Sequence, residues 1–194
     1  MRAAILEAAL GLYRAGGYAG VAMRAVADQL GIQAPSLYHY FVSKEAIFRE
    51  LQEQTLSLLV ETLRPSLPDP LEDMRQYYWR YYEFSKAHPD RFALTWVDAS
   101  TPQFDWRNES PVLAELVDLG HRGLRRSIEA GLLPAHDLFR ASNVLWSAAH
   151  GAAVLAMRAG PGGDALAADV LDTAIAGLST RPLSGRTSWK KTRR

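Results

Sequence analysis

The 194-residue sequence predicts an all-α protein of about nine helices. Apolar residues recur at spacings of three and four, which is the period of an amphipathic helix. Stretches of alternating apolar and polar residues are few, and glycine or proline bounds the periodic segments. These observations favour a three-helix N-terminal domain, joined by a long helix to a C-terminal helical bundle.

The first four helices are bounded by residues that commonly start or stop a helix. A pair of glycines should end the first helix, and a single glycine the second. Proline should open a short third helix, and a serine should cap the long fourth. These residues are Gly16-Gly17, Gly31, Pro35 and Ser43, with Pro65 ending the fourth helix.

Five further helices are predicted after the proline-rich joint at residues 64–70. They should cover approximately residues 70–86, 89–98, 111–130, 137–159 and 164–178. An irregular loop is expected at 99–110. The polar, basic segment 181–194 is expected to be disordered.

Several functional classes are disfavoured by what the sequence lacks. Without cysteine there is no disulfide, thiolate catalysis or cysteine-ligated metal. Asp118 and His121 have metal-ligand spacing, but a single such motif does not make a di-iron site. No phosphate-binding glycine loop, nucleophile elbow or His-Glu-x-x-His motif occurs. We therefore expect neither an enzyme nor a bound cofactor or metal.

Apolar segments give no indication of a membrane protein. No run approaches the roughly 20 apolar residues that a membrane-spanning helix needs. The first residues also lack the apolar core and cleavage site of a signal peptide. We expect a cytoplasmic protein.

The distribution of charge is uneven. The net charge is +1, but residues 181–194 hold six of the 22 basic residues and no acidic one. Residues 1–180 consequently carry a net charge of −5. Nucleic-acid-binding domains are commonly basic as a whole. Any DNA binding must therefore depend on locally placed charges, and a helical module that binds protein remains the alternative.

Residues 20–48 have the order of a helix-turn-helix: a helix, a glycine turn and a second short helix. The N-terminal part of the second helix normally meets base edges in the major groove. Candidates for base contacts are Gln33, Ala34, Pro35, Ser36 and His39. Candidates for phosphate contacts are Arg24, Tyr38, Tyr40 and Lys44. The alternative is a small three-helix core with surface aromatic residues.

Residues 2–48 resemble the N-terminal domain of TetR/AcrR-type repressors. The segments that carry this resemblance are Gly17-Tyr18, residues 23–27, residues 30–32, residues 37–41 and Ser43-Lys44-Glu45. The resemblance implies a palindromic operator in double-stranded DNA, bound by a dimer. It also implies a division into a DNA-binding domain (1–46), a ligand-binding and dimerisation domain (47–180) and a basic tail (181–194).

The chain departs from the family pattern at three hydroxyl positions. Val21 and Ala22 stand where the family usually has Thr or Ser before its second helix, and Gln33 stands where a Ser usually caps the third. Each missing cap costs about 1 kcal/mol. The usual basic arm before the first helix is reduced to Arg2.

The C-terminal part is rich in aromatic residues with a few polar neighbours, the composition of a small-molecule pocket. Candidates for an apolar or aromatic effector are Tyr78, Trp79, Tyr82, Trp96, His121, Arg125, Asn143, Trp146 and His150. Alternatively, His150 is hydrogen-bonded in the core, with Gly151 permitting a close approach of two helices.

Two further features of the C-terminal part match family patterns. Residues 146–151 resemble the Trp-His-Gly signature of one C-terminal subtype. Alanine dominates the last two helices, and in TetR-like proteins these helices pair with their copies in a homodimer. The sequence therefore predicts a ligand-responsive transcriptional regulator, most naturally a repressor.

Overall fold

The computed structural model describes residues 1–103, 110–159, 162–180 and 183, and at residues 158 and 159 the backbone alone. Within these residues the chain forms nine α-helices, which confirms the all-α prediction. They are α1 (Arg2–Gly20), α2 (Met23–Gln29), α3 (Ala34–Tyr38), α4 (Lys44–Leu63), α5 (Pro70–Ala87), α6 (Pro89–Phe92), α7 (Pro111–Glu129), α8 (Leu138–Ala159) and α9 (Gly163–Thr180).

The helix ends lie close to the predicted positions, with two differences. Helix α1 continues to Gly20, and the predicted end at Gly16-Gly17 is a kink with non-helical backbone angles. The predicted helix at 89–98 is a short α6 followed by a π-helical turn, Ala93–Val97. Half of the predicted loop at 99–110 (residues 104–109), and all of the tail at 181–194 except residue 183, lie outside the described residues.

The chain divides into two compact units. Unit 1 contains Met1–Pro65 and Glu83–Val117, and unit 2 contains Ser66–Tyr82 and Asp118–Arg194 as far as they are described. Helix α4 packs with the N-terminal helices, because Ile47, Phe48 and Leu51 share their core. The N-terminal core therefore extends past residue 46. The predicted boundary there, between a DNA-binding domain and a ligand-binding domain, stays a prediction.

Unit 1 is organised around an apolar core that joins α1 to α4. Its buried members come from every one of these helices and from the turn after α3. They include Ile5, Leu10, Val26, Leu37, Phe41, Phe48 and Leu51. Helix α6 packs against α1 and α4 in the same unit.

Unit 2 depends on close helix contacts. A Cβ atom added at Gly123 of α7 would lie 2.8 Å from the backbone of Met74 in α5, so this position requires glycine. Helix α8 packs along α9 through small or aliphatic side chains such as Ala149, Ala153, Ala167 and Leu171, all of them buried.

A buried carboxylate joins α5, α7 and the segment before α5. Asp73 is 1% exposed and accepts hydrogen bonds from Arg122 (3.2 Å), Arg126 (2.9 Å) and the backbone N–H of Leu67 (2.8 Å). Arg126 also donates to the carbonyl oxygens of Leu67 and Pro68, at 2.9 and 2.7 Å. Burying a charge is tolerable only when it is paired in this way.

Removing the Asp73 charge should destabilise the protein strongly. Breaking a buried ion pair leaves its partners uncompensated, and we expect Asp73→Asn to cost about 3 kcal/mol. The measurement is the midpoint of urea unfolding followed by circular dichroism. Asp118→Asn is the control, because Asp118 is 72% exposed in its pair with Arg125 and should cost less than about 1 kcal/mol. Equal shifts in the two variants would contradict a structural role for the buried carboxylate.

Candidate functional site

Helix α3 is held in place by two buried residues. Leu37 is fully buried and Phe41, in the following turn, is 2% exposed. The turn before α3 is made possible by Gly31, whose φ of +64° suits glycine, and by a hydrogen bond from Ile32 N–H to the Ala27 carbonyl oxygen. Helix α3 has only five residues, so its orientation is set by this packing and not by its own helical stability.

Burial of Leu37 and Phe41 turns the polar side chains of the segment outward. Within residues 33–40, six of the predicted DNA-binding residues are exposed: Gln33, Pro35, Ser36, Tyr38, His39 and Tyr40. Ala34 is half-buried against the unit 1 core and offers less surface than predicted. The segment thus carries a contiguous surface of hydroxyl, amide and imidazole groups.

The missing helix caps are visible in the structure. Neither Ala22 before α2 nor Gln33 before α3 makes a side-chain capping hydrogen bond. Ser43 does cap α4, accepting a hydrogen bond from the Ala46 N–H at 3.2 Å. The first turn of α4, which follows α3 in sequence, therefore has one of its N-terminal N–H groups satisfied by a side chain.

Lys44, in that first turn, is oriented by Tyr18 of α1. Its ammonium donates to the Tyr18 carbonyl oxygen at 2.9 Å and lies 3.6 Å from the centre of the Tyr18 ring. The Tyr18 hydroxyl donates to Glu45 at 3.0 Å. An ammonium has three donors, so this arrangement leaves capacity for a phosphate. Sequence reasoning named Lys44 but missed Tyr18, although Tyr18 belongs to the family motif.

Carboxylates lie next to two of these cations, Glu45 beside Lys44 and Asp28 beside Arg24. The pKa of Glu45 is lowered mainly by a hydrogen bond from its own backbone N–H, and further by the hydroxyls of Ser43 and Tyr18. Arg24, whose side chain is 88% exposed, lies 4.0 Å from the Asp28 carboxylate on the same helix. Such exposed pairs contribute at most about 1 kcal/mol, so Arg24 can exchange this partner for another anion.

In unit 2 the predicted effector-binding tyrosines are buried and hydrogen-bonded. The Tyr82 hydroxyl donates to Asp164 at 2.7 Å, and the Tyr78 hydroxyl donates to the Ser142 carbonyl oxygen at 3.4 Å. Trp79 is half-buried, with its ring 5.2 Å from that of Tyr82. These residues serve the core of unit 2 in this state.

Trp146 and His150 are brought together as predicted. Their rings stack with centroids 5.1 Å apart, and the Nδ1 atom of His150 lies 2.8 Å from the Tyr81 hydroxyl. Burial lowers the pKa of His150, which favours the neutral imidazole. The alternative interpretation of a hydrogen-bonded His150 therefore agrees with the structure. Its second part is wrong within the described residues, because a Cβ at Gly151 would meet nothing within 4 Å.

Each of the remaining candidates has contacts of its own. His121 lies 3.0 Å from the Ser142 hydroxyl, and burial lowers its pKa, so it too favours the neutral form. Arg125 is 46% exposed and pairs with Asp118, and Asn143 is exposed and donates to the Phe139 carbonyl oxygen. Trp96 belongs to unit 1, where its ring lies 5.0 Å from that of Phe92.

The lowered pKa of His150 gives a testable dependence of stability on pH. The unfolded chain takes up the proton at the ordinary histidine pKa of about 6.5, and the folded chain only at lower pH. Stability should therefore fall as the pH falls through and below that value. His150→Gln lacks this proton uptake, so its urea midpoint should fall less steeply than that of the wild type between about pH 7 and pH 5.

His121 is retained in the His150→Gln variant, so the difference between the two pH profiles reports His150 alone. A matched His121→Gln variant measures the second imidazole. Parallel profiles for wild type and His150→Gln would show that His150 titrates alike in the folded and unfolded chains.

Two family models match the chain. Residues 5–51 match the model of bacterial regulatory proteins of the tetR family. Residues 74–178, more than half of the chain, match a tetracyclin repressor-like C-terminal domain. The Trp-His-Gly subtype remains a prediction.

Characterised relatives align with about half of the chain. The transcriptional regulator RutR of Escherichia coli K12 is 30% identical over 93 residues, which are 47% of this chain and 44% of RutR. The transcriptional repressor KstR2 of Mycobacterium tuberculosis H37Rv is 30% identical over 112 residues, 54% of this chain and 56% of KstR2. The chain thus spans about half the length of these relatives.

Solved structures share the fold over nearly the whole chain. A tetR-family regulator from Shewanella sp. PV-4 has a TM-score of 0.72 at 17% identity and covers 93% of this chain and 98% of its own. The regulator FadR of Bacillus subtilis, solved in complex with stearoyl-CoA, has a TM-score of 0.70 at 17% identity and covers 91% and 99%. None of the helices in the described residues is long and apolar enough to cross a membrane. Because one family model covers the N-terminal helices and the other most of the remaining chain, the protein belongs to the TetR family of bacterial regulatory proteins.

Proposed function

We propose that the protein is a ligand-responsive transcriptional repressor that binds a palindromic operator as a dimer. The observation that carries this proposal is the exposed polar surface of α3, held outward by the burial of Leu37 and Phe41. Two tyrosines and a histidine within three residues are unusual on a surface that contacts only solvent. They suit a helix placed in the major groove, which contacts both base edges and phosphates.

The exposed residues divide between two kinds of contact. Gln33 suits the adenine edge, Ser36 donates or accepts at either type of base, and His39 lies one turn further along. Pro35 and the exposed part of Ala34 offer apolar contact to a thymine methyl group. These contacts to base edges determine which operator sequence the protein prefers.

Phosphate contacts come from residues around α3. Lys44 combines its ammonium with the N-terminus of a 20-residue helix, a favourable place for an anion. Tyr38 and Tyr40, 51% and 42% exposed, supply hydroxyls, and Arg24 supplies a guanidinium from α2. These contacts fix the position of α3 on the duplex without selecting bases.

Helices α8 and α9 supply the proposed dimer surface. Apolar side chains are exposed on both, among them Val144, Leu155 and Leu166. Val144, Gly151 and Leu155 lie in one stripe of α8, and a Cβ at Gly151 would meet open space. Two copies joined here would place two α3 helices on one palindrome, which a single short helix cannot contact with comparable specificity.

The proposed effector is a small apolar or aromatic molecule bound by unit 2. The half-buried stack of Trp146 and His150 and the half-buried Trp79 offer aromatic surface for it. The related fold of FadR, solved with stearoyl-CoA, supports an apolar ligand class. The effector acts by binding more tightly to the state that does not fit the operator. Such a regulator works in the cytoplasm, where the chromosome lies.

Selection from a pool of random duplexes tests the function directly. We expect enrichment of a palindrome whose half-sites lie about one helical turn apart, because the recognition helices of helix-turn-helix dimers bind half-sites with that spacing. Sedimentation at micromolar concentration should show a dimer in the same preparation. A pool without enrichment would exclude sequence-specific binding and favour the protein-binding alternative.

Substitutions should separate phosphate contacts from base contacts. Lys44→Ala should weaken binding to all duplexes and lower the slope of log affinity against log salt by about one. Ser36→Ala and His39→Ala should leave that slope unchanged and alter which sequence is selected. Lys86→Ala, which removes an exposed lysine at the end of α5, is the control for loss of charge. An unchanged slope for Lys44→Ala would remove Lys44 from the phosphate contacts.

A further inference from the structure

Arg2, at the start of α1, is bound to the turn that follows α3. Its Nε lies 2.9 Å from both carboxylate oxygens of Glu50, and one terminal nitrogen also pairs with Glu50. The other terminal nitrogen donates to the carbonyl oxygen of Tyr40 at 2.9 Å. The guanidinium also lies 4.2 Å from the centre of the Phe41 ring. One side chain thus connects α1, α4 and two consecutive residues of the turn.

These contacts use the guanidinium in a way that only arginine allows. Its planar fork binds the carboxylate with two nitrogens while a third nitrogen reaches the carbonyl and the face lies over a ring. Lysine has a single ammonium and cannot bind the carboxylate through two nitrogens while a third nitrogen reaches the carbonyl oxygen. An exposed ion pair alone contributes little, but one with bidentate geometry and an additional charged hydrogen bond contributes more.

The residues that Arg2 holds belong to the proposed DNA surface. Tyr40 is a proposed phosphate contact, and Phe41 is the buried residue that fixes the end of the α3 segment. Hydrogen bonds from the Tyr40 and Phe41 N–H groups to the Leu37 carbonyl oxygen, at 2.9 and 3.1 Å, complete the turn. Arg2 therefore restrains the backbone of this turn by contacts within the protein. A mobile N-terminal arm would instead contact DNA directly.

We propose that Arg2 is a positioning residue for the DNA-binding turn and does not itself contact DNA. It acts through Glu50, the Tyr40 carbonyl oxygen and the Phe41 ring, so that the Tyr38–Tyr40 surface meets the duplex already ordered. This inference rests on the proposed function, because it assigns a role in operator binding. The restraint of the turn by Arg2 is nevertheless a property of the free protein and can be measured without DNA.

The effect of Glu50→Gln on DNA affinity distinguishes the positioning role from simple charge repulsion. If Glu50 were only an acidic group near the duplex, Glu50→Gln would remove repulsion and strengthen DNA binding. Positioning through the Arg2–Glu50 pair requires the reverse: Glu50→Gln weakens binding to the selected operator. The direction of this one change separates the two roles.

We expect Arg2→Ala, Arg2→Lys and Glu50→Gln each to weaken operator binding by about tenfold, with an unchanged salt slope. In the double variant Arg2→Ala/Glu50→Gln the losses should not add, because both break one arrangement. A salt slope lowered by about one in Arg2→Ala, with binding retained in Arg2→Lys, would overturn the proposal and make Arg2 a phosphate contact. Stronger binding by Glu50→Gln would overturn it too.

Arg14→Ala is the matched control. Arg14 lies on the same helix, its side chain is 54% exposed against 53% for Arg2, and it pairs with Asp90 at 2.5 Å, away from the turn after α3. It should leave operator affinity unchanged. A loss equal to that of Arg2→Ala would show a general effect of destabilising α1.

Hydrogen exchange measures the restraint without DNA. In Arg2→Ala the Tyr40 and Phe41 amides should exchange several-fold faster, while the Ile47 amide in α4 stays protected. Unchanged exchange at Tyr40 and Phe41 would overturn the positioning role even if the variant binds DNA poorly. If the wild type binds no duplex, the proposed function fails, and the exchange result still decides whether Arg2 restrains the turn.

Discussion

The burial of Leu37 and Phe41 is the constraint on which the proposed DNA-binding surface depends. A five-residue helix has almost no stability of its own, so α3 exists because these two side chains complete the core of α1, α2 and α4. Fixing them leaves the positions between and beside them exposed. The same packing that folds unit 1 therefore selects which side chains of α3 remain exposed. The position of the exposed polar groups of α3 is therefore determined by the packing of the core.

This arrangement is consistent with the proposed DNA binding even though residues 1–180 are acidic overall. Residues 1–180 carry a net charge of −5, so attraction depends on a few cations. Of those near α3, Lys44 is already ordered by the Tyr18 ring and carbonyl oxygen, whereas Arg24 is exposed and only weakly paired with Asp28. Ordering reduces the side-chain entropy lost on binding. A small number of oriented charges also keeps nonspecific attraction low, since that attraction scales with the number of phosphates neutralised.

The features that could be predicted from the sequence are those that neighbouring residues determine. Helix bounds followed from apolar spacing and from Gly31, Pro35 and Ser43, and family membership followed from motifs within residues 2–48. Contacts between residues far apart in sequence were not predictable, because nothing local specifies them. Arg2 and Glu50 are 48 positions apart, and Tyr82 and Asp164 are 82 apart. Gly151 shows the same limit, since its neighbourhood depends on where whole helices lie.

The hydrogen bonds of the buried tyrosines constrain any effector of unit 2. Tyr81 and Tyr82 bond His150 and Asp164, and replacing such a bond with nothing costs about 1–3 kcal/mol. An effector that entered between these groups would have to supply polar atoms of its own or shift helices. A molecule that instead covers the half-buried Trp79 and Trp146 gains apolar contact and leaves the buried bonds intact. A shift of helices is what a regulator needs, because a ligand changes activity only by distinguishing two states. We therefore expect the proposed effector to combine an apolar body with a polar group able to replace one of these hydroxyl contacts.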